Sequence, residues 1–501
     1  MLPAVLVVST TVAASAGVPL ARPLFELLDR DADGLVTAGD MLELMVALDH
    51  TPNQAMAHSA LRRASEGIGY FDEDRDGVVS FEEFERAIGP RVAPRAPDSP
   101  TEVHIVNHGA QAMSVQWTTQ SANGTVVQYG REPGNYSETA EGFWATYRAG
   151  DLYNTSLGFH GRIHTARMRI EDGAQYYYRV GDGAEAWSAE HSFQLTHAAG
   201  AGPSRIAWGG DMGTVIPAGW KVARQMEAAH AASPLHAAVI VGDIAYGTIG
   251  VPTMRDEFEF VWDAWFRIIE PLASQVPMAA VVGNHESPFD YSAFRTRFDM
   301  DQGSGGRKNF WYAFSIGRVR VVVISTEHSL EEGSAQRSWL DAELAQSDAA
   351  AARALTPWLV VTAHFPMYCT DTFDADRARA GALIQVQCSA RAGTRQALCR
   401  VAPHDPAFLM RQVQLEPALL AYHVDVMIAG HHHVYERSAP MANGSAVGPL
   451  APTPSRGEVY RNPAAPVHLT IGTFVFAAPK IISIWCSRNS RPTSWAYFAS
   501  P

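Results

Sequence analysis

Residues 237–246 read AAVIVGDIAY, a short apolar run followed by a glycine and an aspartate. Its five apolar residues predict a short strand buried on both faces, and the Gly-Asp pair after them predicts a polar strand end. A short apolar run with a polar end recurs four times along the sequence. The other runs are IAWGGDMG at 206–213, AAVVGNHE at 279–286, WLVVTAH at 358–364 and VDVMIAGHHH at 424–433.

The segments between these runs have the composition of helices. Alanine-rich or aromatic amphipathic stretches occupy 218–232, 254–270 and 334–350. Strands that alternate with helices predict an α/β fold, in which helices cover a central sheet. Ligands of such folds gather outside the carboxyl ends of the strands, where all five polar blocks fall. The sequence therefore predicts that the five blocks meet at one site.

The side chains in these blocks are of the types that bind metal ions. Two ions about 3.5 to 4 Å apart need a shared anionic bridge and separate terminal ligands, and together they can clamp a phosphate group. Asp243 is the natural bridge. The seven candidate metal ligands are Asp211, Asp243, Tyr246, Asn284, His364, His431 and His433.

The five blocks, in this order, resemble the purple acid phosphatases of the calcineurin-like metallophosphoesterase superfamily. Tyr246 is the distinguishing residue, because serine/threonine phosphatases and nucleases of this superfamily lack a tyrosine three residues after the second aspartate. The resemblance implies an αββα sandwich with a binuclear centre bridged by Asp243. It assigns Asp211, Tyr246 and His433 to one ion, and Asn284, His364 and His431 to the other.

The donor types indicate which metals would bind. A phenolate with carboxylates favours Fe(III), whereas imidazole and amide donors suit Zn, Fe(II) or Mn(II). The resemblance assigns His285 to the substrate phosphate or its leaving group, and Glu286 to the orientation of a histidine. The implied reaction is hydrolysis of phosphate monoesters with a metal-bound hydroxide as the nucleophile. The alternatives are a phosphodiesterase of the same superfamily and a catalytically impaired calcium-binding scaffold protein.

Two acidic segments near the start of the chain resemble paired EF-hand loops. Oxygen donors fall at loop positions 1, 3, 5 and 12, and the position 7 backbone carbonyl adds a further ligand for Ca²⁺. The first loop comprises Asp29, Asp31, Asp33, Leu35 and Asp40, and the second comprises Asp72, Asp74, Asp76, Val78 and Glu83. Glu83 can supply two oxygens, so the second loop is expected to bind calcium more tightly than the first.

Charge is concentrated in the same region. Fifteen acidic residues and six arginines lie between Arg22 and Arg86, so most of the net charge of −13 belongs to this segment. Calcium binding explains this acidity, which argues against nucleic acid as a partner. The expected partners are phosphate monoester substrates, and the sequence does not specify an oligomeric state.

A proline-rich linker and a β-rich segment separate the acidic region from the catalytic part. Alternating polar and apolar residues between 102 and 195 predict an all-β sandwich, which the resemblance identifies as fibronectin-like. A chain of 501 residues is expected to form roughly three domains. The predicted boundaries are a signal peptide at 1–16, an EF-hand pair at 20–90, a linker at 91–100, the β-sandwich at 101–197, the catalytic domain at 203–480 and an altered or truncated tail at 481–501.

Several features indicate a secreted protein. The start has an apolar core with an Ala-x-Ala end that fits signal peptidase, and apart from it the sequence has no apolar stretch long enough to span a membrane. Of the four cysteines, Cys369 and Cys388 are the favoured disulfide pair, because both lie in the insertion after the VTAH block. Candidate glycosylation sites are Asn123, Asn135, Asn154 and Asn443.

Overall fold

A computed structural model gives the architecture of the chain. It describes residues 20–47, 65, 68–109, 111–121, 123–147, 161–171, 173–194, 204–214, 217–248, 257–300, 309–368, 386–390, 397–401, 406–447, 459–460, 463–472 and 495–496. The predicted signal peptide therefore lies outside the described residues. Among the residues described, no helix is both long and apolar enough to cross a lipid bilayer.

The first described part contains two acidic loops, each followed by a helix. Its elements are α1 Ala21–Leu28, β1 Leu35–Val36, α2 Ala38–Ala47, β2 Val79–Ser80 and α3 Phe81–Val92. The two loops are joined by antiparallel pairing of β1 with β2, in which Val36 stands opposite Val79. Ser80 caps α3 through a capping box with Glu83. The last acidic residue of the second loop therefore also fixes the start of α3.

A β-sandwich follows, as the alternating pattern predicted. One sheet contains β3 Thr101–Asn107, β4 Ala112–Thr119, β7 Phe143–Ala145 and β8 Arg162–Arg169. The other contains β5 Val126–Gly130, β6 Glu138–Glu141, β9 Gln175–Gly181 and β10 His191–Gln194. Apolar side chains of both sheets are buried between them.

The catalytic part begins with three parallel strands, each carrying one of the predicted polar blocks at its end. They are β11 Ile206–Gly209, β12 Ala237–Val241 and β13 Met278–Val281, and they are connected by α4 Pro217–Ala232 and α5 Glu259–Ala273. A short 3-10 helix, Asn284–Glu286, and α6 Pro288–Arg297 follow β13. These strands are almost fully apolar and buried, because helices and a second sheet cover them.

A second seven-stranded sheet completes the catalytic part. Its strand order is β14 Tyr312–Ile316, β15 Val319–Val323, β16 Trp358–Thr362, β19 Val426–Ala429, β23 Val467–Ile471, β20 Tyr435–Ala442 and β21 Ser445–Ala446. The helices of this half are α7 Ala335–Asp348, α8 Ala350–Leu355 and α9 Pro406–Ala421. The remaining short strands are β17 Val386–Ala390, β18 Ala397–Val401, β22 Val459–Tyr460 and β24 Trp495–Ala496.

The two faces of this second sheet are buried in different cores. Leu359 and Met427 point toward α7 and α9, whereas Val360 and Ile428 pack with the strands of the first sheet. Successive strand residues alternate between the faces, so both faces are apolar. This arrangement is the predicted αββα sandwich, with two sheets face to face and helices outside.

The β-sandwich is continuous with the catalytic part, which the sequence did not indicate. Strand β13 pairs in parallel with β3 through Met278 and Val106, so one sheet runs through both regions. Beside this junction the guanidinium of Arg297, almost fully buried, lies 3.2 Å from Glu102 and 2.6 Å from Asp263. Because an uncompensated buried charge is costly, the ion pair of Arg297 with Asp263 and its hydrogen bond to Glu102 fix the two regions to each other.

Helix α3 of the EF-hand pair also packs on the catalytic part. The guanidinium of Arg91 donates to both carboxylate oxygens of Glu227 in α4, at 3.1 and 2.8 Å, and to the carbonyl of Ile268 in α5. In return, Arg224 of α4 donates to the carbonyl of Ala87. The EF-hand pair is thus attached to α4 and α5, the helices that connect the strands of the first catalytic sheet.

Candidate metal centre

The predicted metal ligands sit on strained turns. Four of them, Asp211, Asp243, Tyr246 and His431, have φ angles of +55°, +49°, +57° and +66°. This left-handed region is uncommon for residues with a side chain and costs about 1 kcal/mol or more per residue. Such strain is concentrated at functional sites, where the surrounding structure enforces it. The strained positions at these strand ends therefore coincide with residues that the sequence proposes as metal ligands.

The glycines that precede the ligands are required by close packing. A Cβ atom at Gly242 would lie 2.3 Å from Nδ1 of His364, and a Cβ atom at Gly283 would lie 2.4 Å from Oδ1 of Asp243. Any larger residue would push a ligand out of place. The glycine recurs in the motifs because each of these turns packs closely against a neighbouring turn. The sequence of a single motif does not show that contact.

The first predicted group of ligands is assembled around the hydroxyl of Tyr246. This oxygen lies 3.0 Å from Nε2 of His433, 3.2 Å from Oδ2 of Asp243 and 3.4 Å from Oδ1 of Asp211. Nε2 of His433 is itself 3.4 Å from Oδ1 of Asp211. The donor atoms of these four residues therefore lie close together, around the hydroxyl of Tyr246.

The second predicted group lies on the other side of Asp243. Nε2 of His364 is 3.1 Å from Oδ1 of Asn284 and 3.2 Å from Oδ2 of Asp243. Nδ1 of His431 is 3.2 Å from the same amide oxygen of Asn284. Asp243 belongs to both groups, as the bridge of a binuclear centre must. The structure thus brings together all seven predicted ligands, and the distances match the two groups that the family resemblance implies.

The geometry fits metal ions. Two ligands that are each about 2.1 Å from one ion stand about 3 to 3.4 Å apart, which is the spacing found in both groups. The carboxylates of Asp211 and Asp243 are almost fully buried, and buried carboxylates require compensating charge. Nδ1 of His364 lies 3.0 Å from the carbonyl of Val241, which holds its ring with Nε2 toward the centre.

Burial makes the protonation state of this centre depend on metal binding. Burial raises the pKa of Asp211 to about 8, and burial with two neighbouring carboxylates raises the pKa of Tyr246 well above its usual range. Burial opposes a charged His364, but the carboxylate of Asp243 raises the pKa of this histidine to about 10. Metal ions bind the deprotonated forms of these groups, so binding releases protons and weakens as the pH falls.

His285 also lies at the centre, but outside the two ligand groups. Its backbone N–H donates to Oδ1 of Asp243 at 3.0 Å, and its Nε2 is 3.9 Å from Oδ2 of the same residue. Its Nδ1 lies 2.6 Å from the hydroxyl of Thr248, a residue that sequence reasoning did not identify. No motif pointed to Thr248, because the contact joins two turns 37 residues apart.

Glu286 does not have the role that was predicted for it. Its carboxylate accepts three backbone N–H groups, from Asp243 at 2.9 Å, Ile244 at 2.8 Å and Gly283 at 2.8 Å, rather than orienting a histidine. The side chain therefore ties the turn after β12 to the turn after β13. The prediction failed because the backbone donors of a strained turn are not visible in the sequence.

Each EF-hand loop brings three of its predicted carboxylates close together, and Asp33 and Glu83 lie outside these two groups. Donor atoms of Asp29, Asp31 and Asp40 lie within 4.8 Å of one another in the first loop, and those of a second group of three aspartates do so in the second loop. The carboxylate of Asp40 accepts a backbone N–H of the loop, from Arg30 at 2.9 Å. The second group consists of Asp72, Asp74 and Asp76.

Other predicted sites are only partly within the described residues. Cys369 and Asn154 lie outside them, so the Cys369–Cys388 disulfide stays a prediction. The backbone register of β17 and β18 places Cys388 opposite Cys399. The three other glycosylation candidates, Asn123, Asn135 and Asn443, are exposed.

Comparisons with known proteins agree with this arrangement of domains. Residues 205–435 match the profile of the calcineurin-like phosphoesterases, residues 100–195 match the N-terminal domain of purple acid phosphatases, and residues 20–89 match the EF-hand domain pair. Together the two phosphatase profiles extend over well more than half of the chain. The β-sandwich is thus the one that accompanies this catalytic domain.

Related proteins and a solved structure point the same way. Purple acid phosphatase 23 of Arabidopsis thaliana is 28% identical over 76% of this chain and 81% of its own length. Human acid phosphatase type 7 is 28% identical over 75% of this chain and 78% of its own length. The structure of purple acid phosphatase PPD1 from yellow lupin seeds has the same fold, with a TM-score of 0.61 and 19% identity over 82% of this chain and 69% of that one. This chain belongs to the purple acid phosphatase family of metallophosphoesterases and carries an EF-hand pair ahead of its catalytic part.

Proposed function

We propose that this protein hydrolyses phosphate monoesters at a binuclear centre, at acidic to neutral pH. The observation that carries the proposal is the division of seven buried or half-buried donors into two groups that share Asp243. Each group supplies three further protein ligands, so each could hold one ion and leave room for a phosphate oxygen. Family membership supports the same reaction.

The two groups differ in the metal they would prefer. The group around Tyr246 offers a phenol and two carboxylates, which favour Fe(III). The group around His364 offers two imidazoles and an amide, which suit Zn, Fe(II) or Mn(II). Both ions together would supply positive charge that activates water and stabilises the charge on phosphoryl oxygens in the transition state.

The protein groups hold this centre and the substrate in place. Glu286 fixes two ligand turns through backbone N–H groups, and the carbonyl of Val241 holds the ring of His364. His285 presents Nε2 beside the bridging carboxylate, where its N–H can donate to a phosphate oxygen or to the leaving group. Each catalytic side chain is thus oriented by a buried partner before substrate binds.

The EF-hand pair is proposed to bind calcium as a structural element. Its helix α3 is attached to α4 and α5 through Arg91, so ordering of the loops by Ca²⁺ would stabilise that contact. Export is proposed from the apolar start of the chain and from three exposed sequons. Extracellular calcium is plentiful, which suits loops of moderate affinity.

The test is expression of the full chain, followed by elemental analysis and assays with two substrates. We expect two metal ions per chain, one of them iron, and faster turnover of an aryl phosphate monoester than of the corresponding diester. Faster turnover of the diester would indicate the phosphodiesterase alternative. A fully loaded protein that hydrolyses neither ester would contradict the proposal and favour the calcium-binding scaffold.

A further inference from the structure

The hydroxyl of Thr248 makes a short hydrogen bond with the histidine at the metal centre. Oγ1 of Thr248 lies 2.6 Å from Nδ1 of His285, and only 5% and 7% of the two residues is exposed. Buried from water, such a bond holds both groups in one geometry. Thr248 lies two residues after the metal ligand Tyr246, on the same turn.

The turn that carries Thr248 is hydrogen-bonded and closely packed at Gly247. The carbonyl of Gly247 accepts the backbone N–H of Phe258 at 2.7 Å, and a Cβ atom at Gly247 would lie 3.2 Å from the ring of Trp262. Tyr246 has a φ of +57°, so the chain turns sharply just before this point. The position of the threonine hydroxyl is therefore set by packing around the turn.

The ring of His285 is held from its other sides as well. Its centroid lies 4.3 Å from that of Tyr246, at an interplanar angle of 43°. Nε2 lies 3.9 Å from Oδ2 of Asp243, the bridging ligand. With Nδ1 bound to Thr248, Nε2 is the nitrogen on the side of the centre.

We propose that Thr248 is a positioning residue that fixes the ring of His285 so that Nε2 faces the substrate phosphate. A hydroxyl can donate to Nδ1 or accept from it, so it holds the ring whether or not that nitrogen carries a proton. The threonine therefore orients the ring without adding a charge beside the ligands. This inference rests on the proposed phosphatase function, because it assigns His285 to the phosphate.

The test compares two substitutions at this position. Thr248→Val keeps the shape and removes the hydroxyl, whereas Thr248→Ser keeps the hydroxyl. A positioned acid–base group contributes about 10²- to 10⁴-fold to a rate, so losing its orientation should lower kcat about 10- to 100-fold in the valine variant. KM should change less than kcat, and the serine variant should recover most of the loss. Thr356→Val is the matched control, because Thr356 lies just before β16, at the opposite end from His364.

A second readout does not depend on turnover. Calorimetric titration of the metal-loaded proteins with inorganic phosphate should show binding weakened about tenfold in Thr248→Val, and little change in Thr248→Ser. Metal content and visible absorption should equal those of the parent. Unchanged kcat and phosphate affinity in Thr248→Val would overturn the proposal. Loss of metal in that variant, or failure of Thr248→Ser to recover activity, would also overturn it. A loaded parent protein that binds phosphate but hydrolyses no ester would refute the proposed function alone.

Discussion

Gly242→Ala is expected to displace a metal ligand through a single methyl group. The added carbon would lie 2.3 Å from Nδ1 and 2.7 Å from Cγ of His364, whose ring is fully buried. Gly242 also has a φ of +76°, where a residue with a side chain is strained. Neither problem can be relieved by moving a flexible side chain, so the ring or the turn must shift.

The size of the effect follows from these two contributions. A left-handed alanine costs about 1 kcal/mol or more, and overpacking a buried site costs about 1 to 3 kcal/mol. The free energy of unfolding should therefore fall by about 2 to 4 kcal/mol. A shift of about 1 Å at a catalytic group can cost about 100-fold in rate, and here it would also break the contact of His364 with Asp243, now 3.2 Å.

The assay measures metal content, turnover of an aryl phosphate and the midpoint of thermal unfolding. Gly134→Ala is the matched control, because Gly134 has a φ of +70° in the β-sandwich and its Cβ would meet nothing within 4 Å. The control should lose only the backbone contribution and keep both metals. If Gly242→Ala retained full metal content and full activity, the close packing of the ligand turns would be refuted.

Three further predictions concern the ligands, the calcium loops and pH. His364→Ala should empty one metal site and abolish turnover. The control His423→Ala changes an exposed histidine and should alter neither the metal content nor the turnover. Equal metal content in the two variants would contradict the assignment of His364 as a ligand. Glu83→Gln should weaken calcium binding more than Asp40→Asn, as measured by calorimetry, and equal losses would contradict the ranking of the two loops. Burial raises the pKa of Glu102 to about 8, so the folded protein keeps a proton that the unfolded chain releases above about pH 4.3. This stabilisation is lost as the pH rises toward 8, so the Tm of the parent should fall between pH 5 and pH 8. Glu102→Gln removes the titrating carboxyl group, so the Tm of the variant should fall less over the same range.

The strands and the ligand groups could be predicted because their signals are local. Each ligand directly follows a buried apolar run, as Asp243 follows β12 and His364 follows β16. The parallel strands of each sheet carry their ends to one edge, and the face-to-face packing of the two sheets brings the two sets of ligands together. The division into two ligand groups came from the family resemblance and is matched by the distances around Asp243.

The contacts between separate turns could not be predicted in the same way. The hydroxyl of Thr248 reaches His285, and the carboxylate of Glu286 reaches backbone N–H groups of the turn after β12. The pairing of β13 with β3 likewise joins residues more than 170 positions apart through a single register pair. Such contacts depend on how the strained turns pack against each other. Neither residue types nor their spacing in the sequence predict this packing.

The visible absorption of the Tyr246→Phe variant shows whether Tyr246 binds iron at the proposed binuclear centre. In the parent, a phenolate bound to Fe(III) should give the charge-transfer colour that the family resemblance implies, since the hydroxyl of Tyr246 lies among Asp211, Asp243 and His433. The phenylalanine ring keeps the packing and removes the oxygen, so the band should vanish while far-ultraviolet dichroism is unchanged. A variant that stays coloured, or a colourless parent with full occupancy by oxidised iron, would show that Tyr246 is not a ligand and would contradict the account.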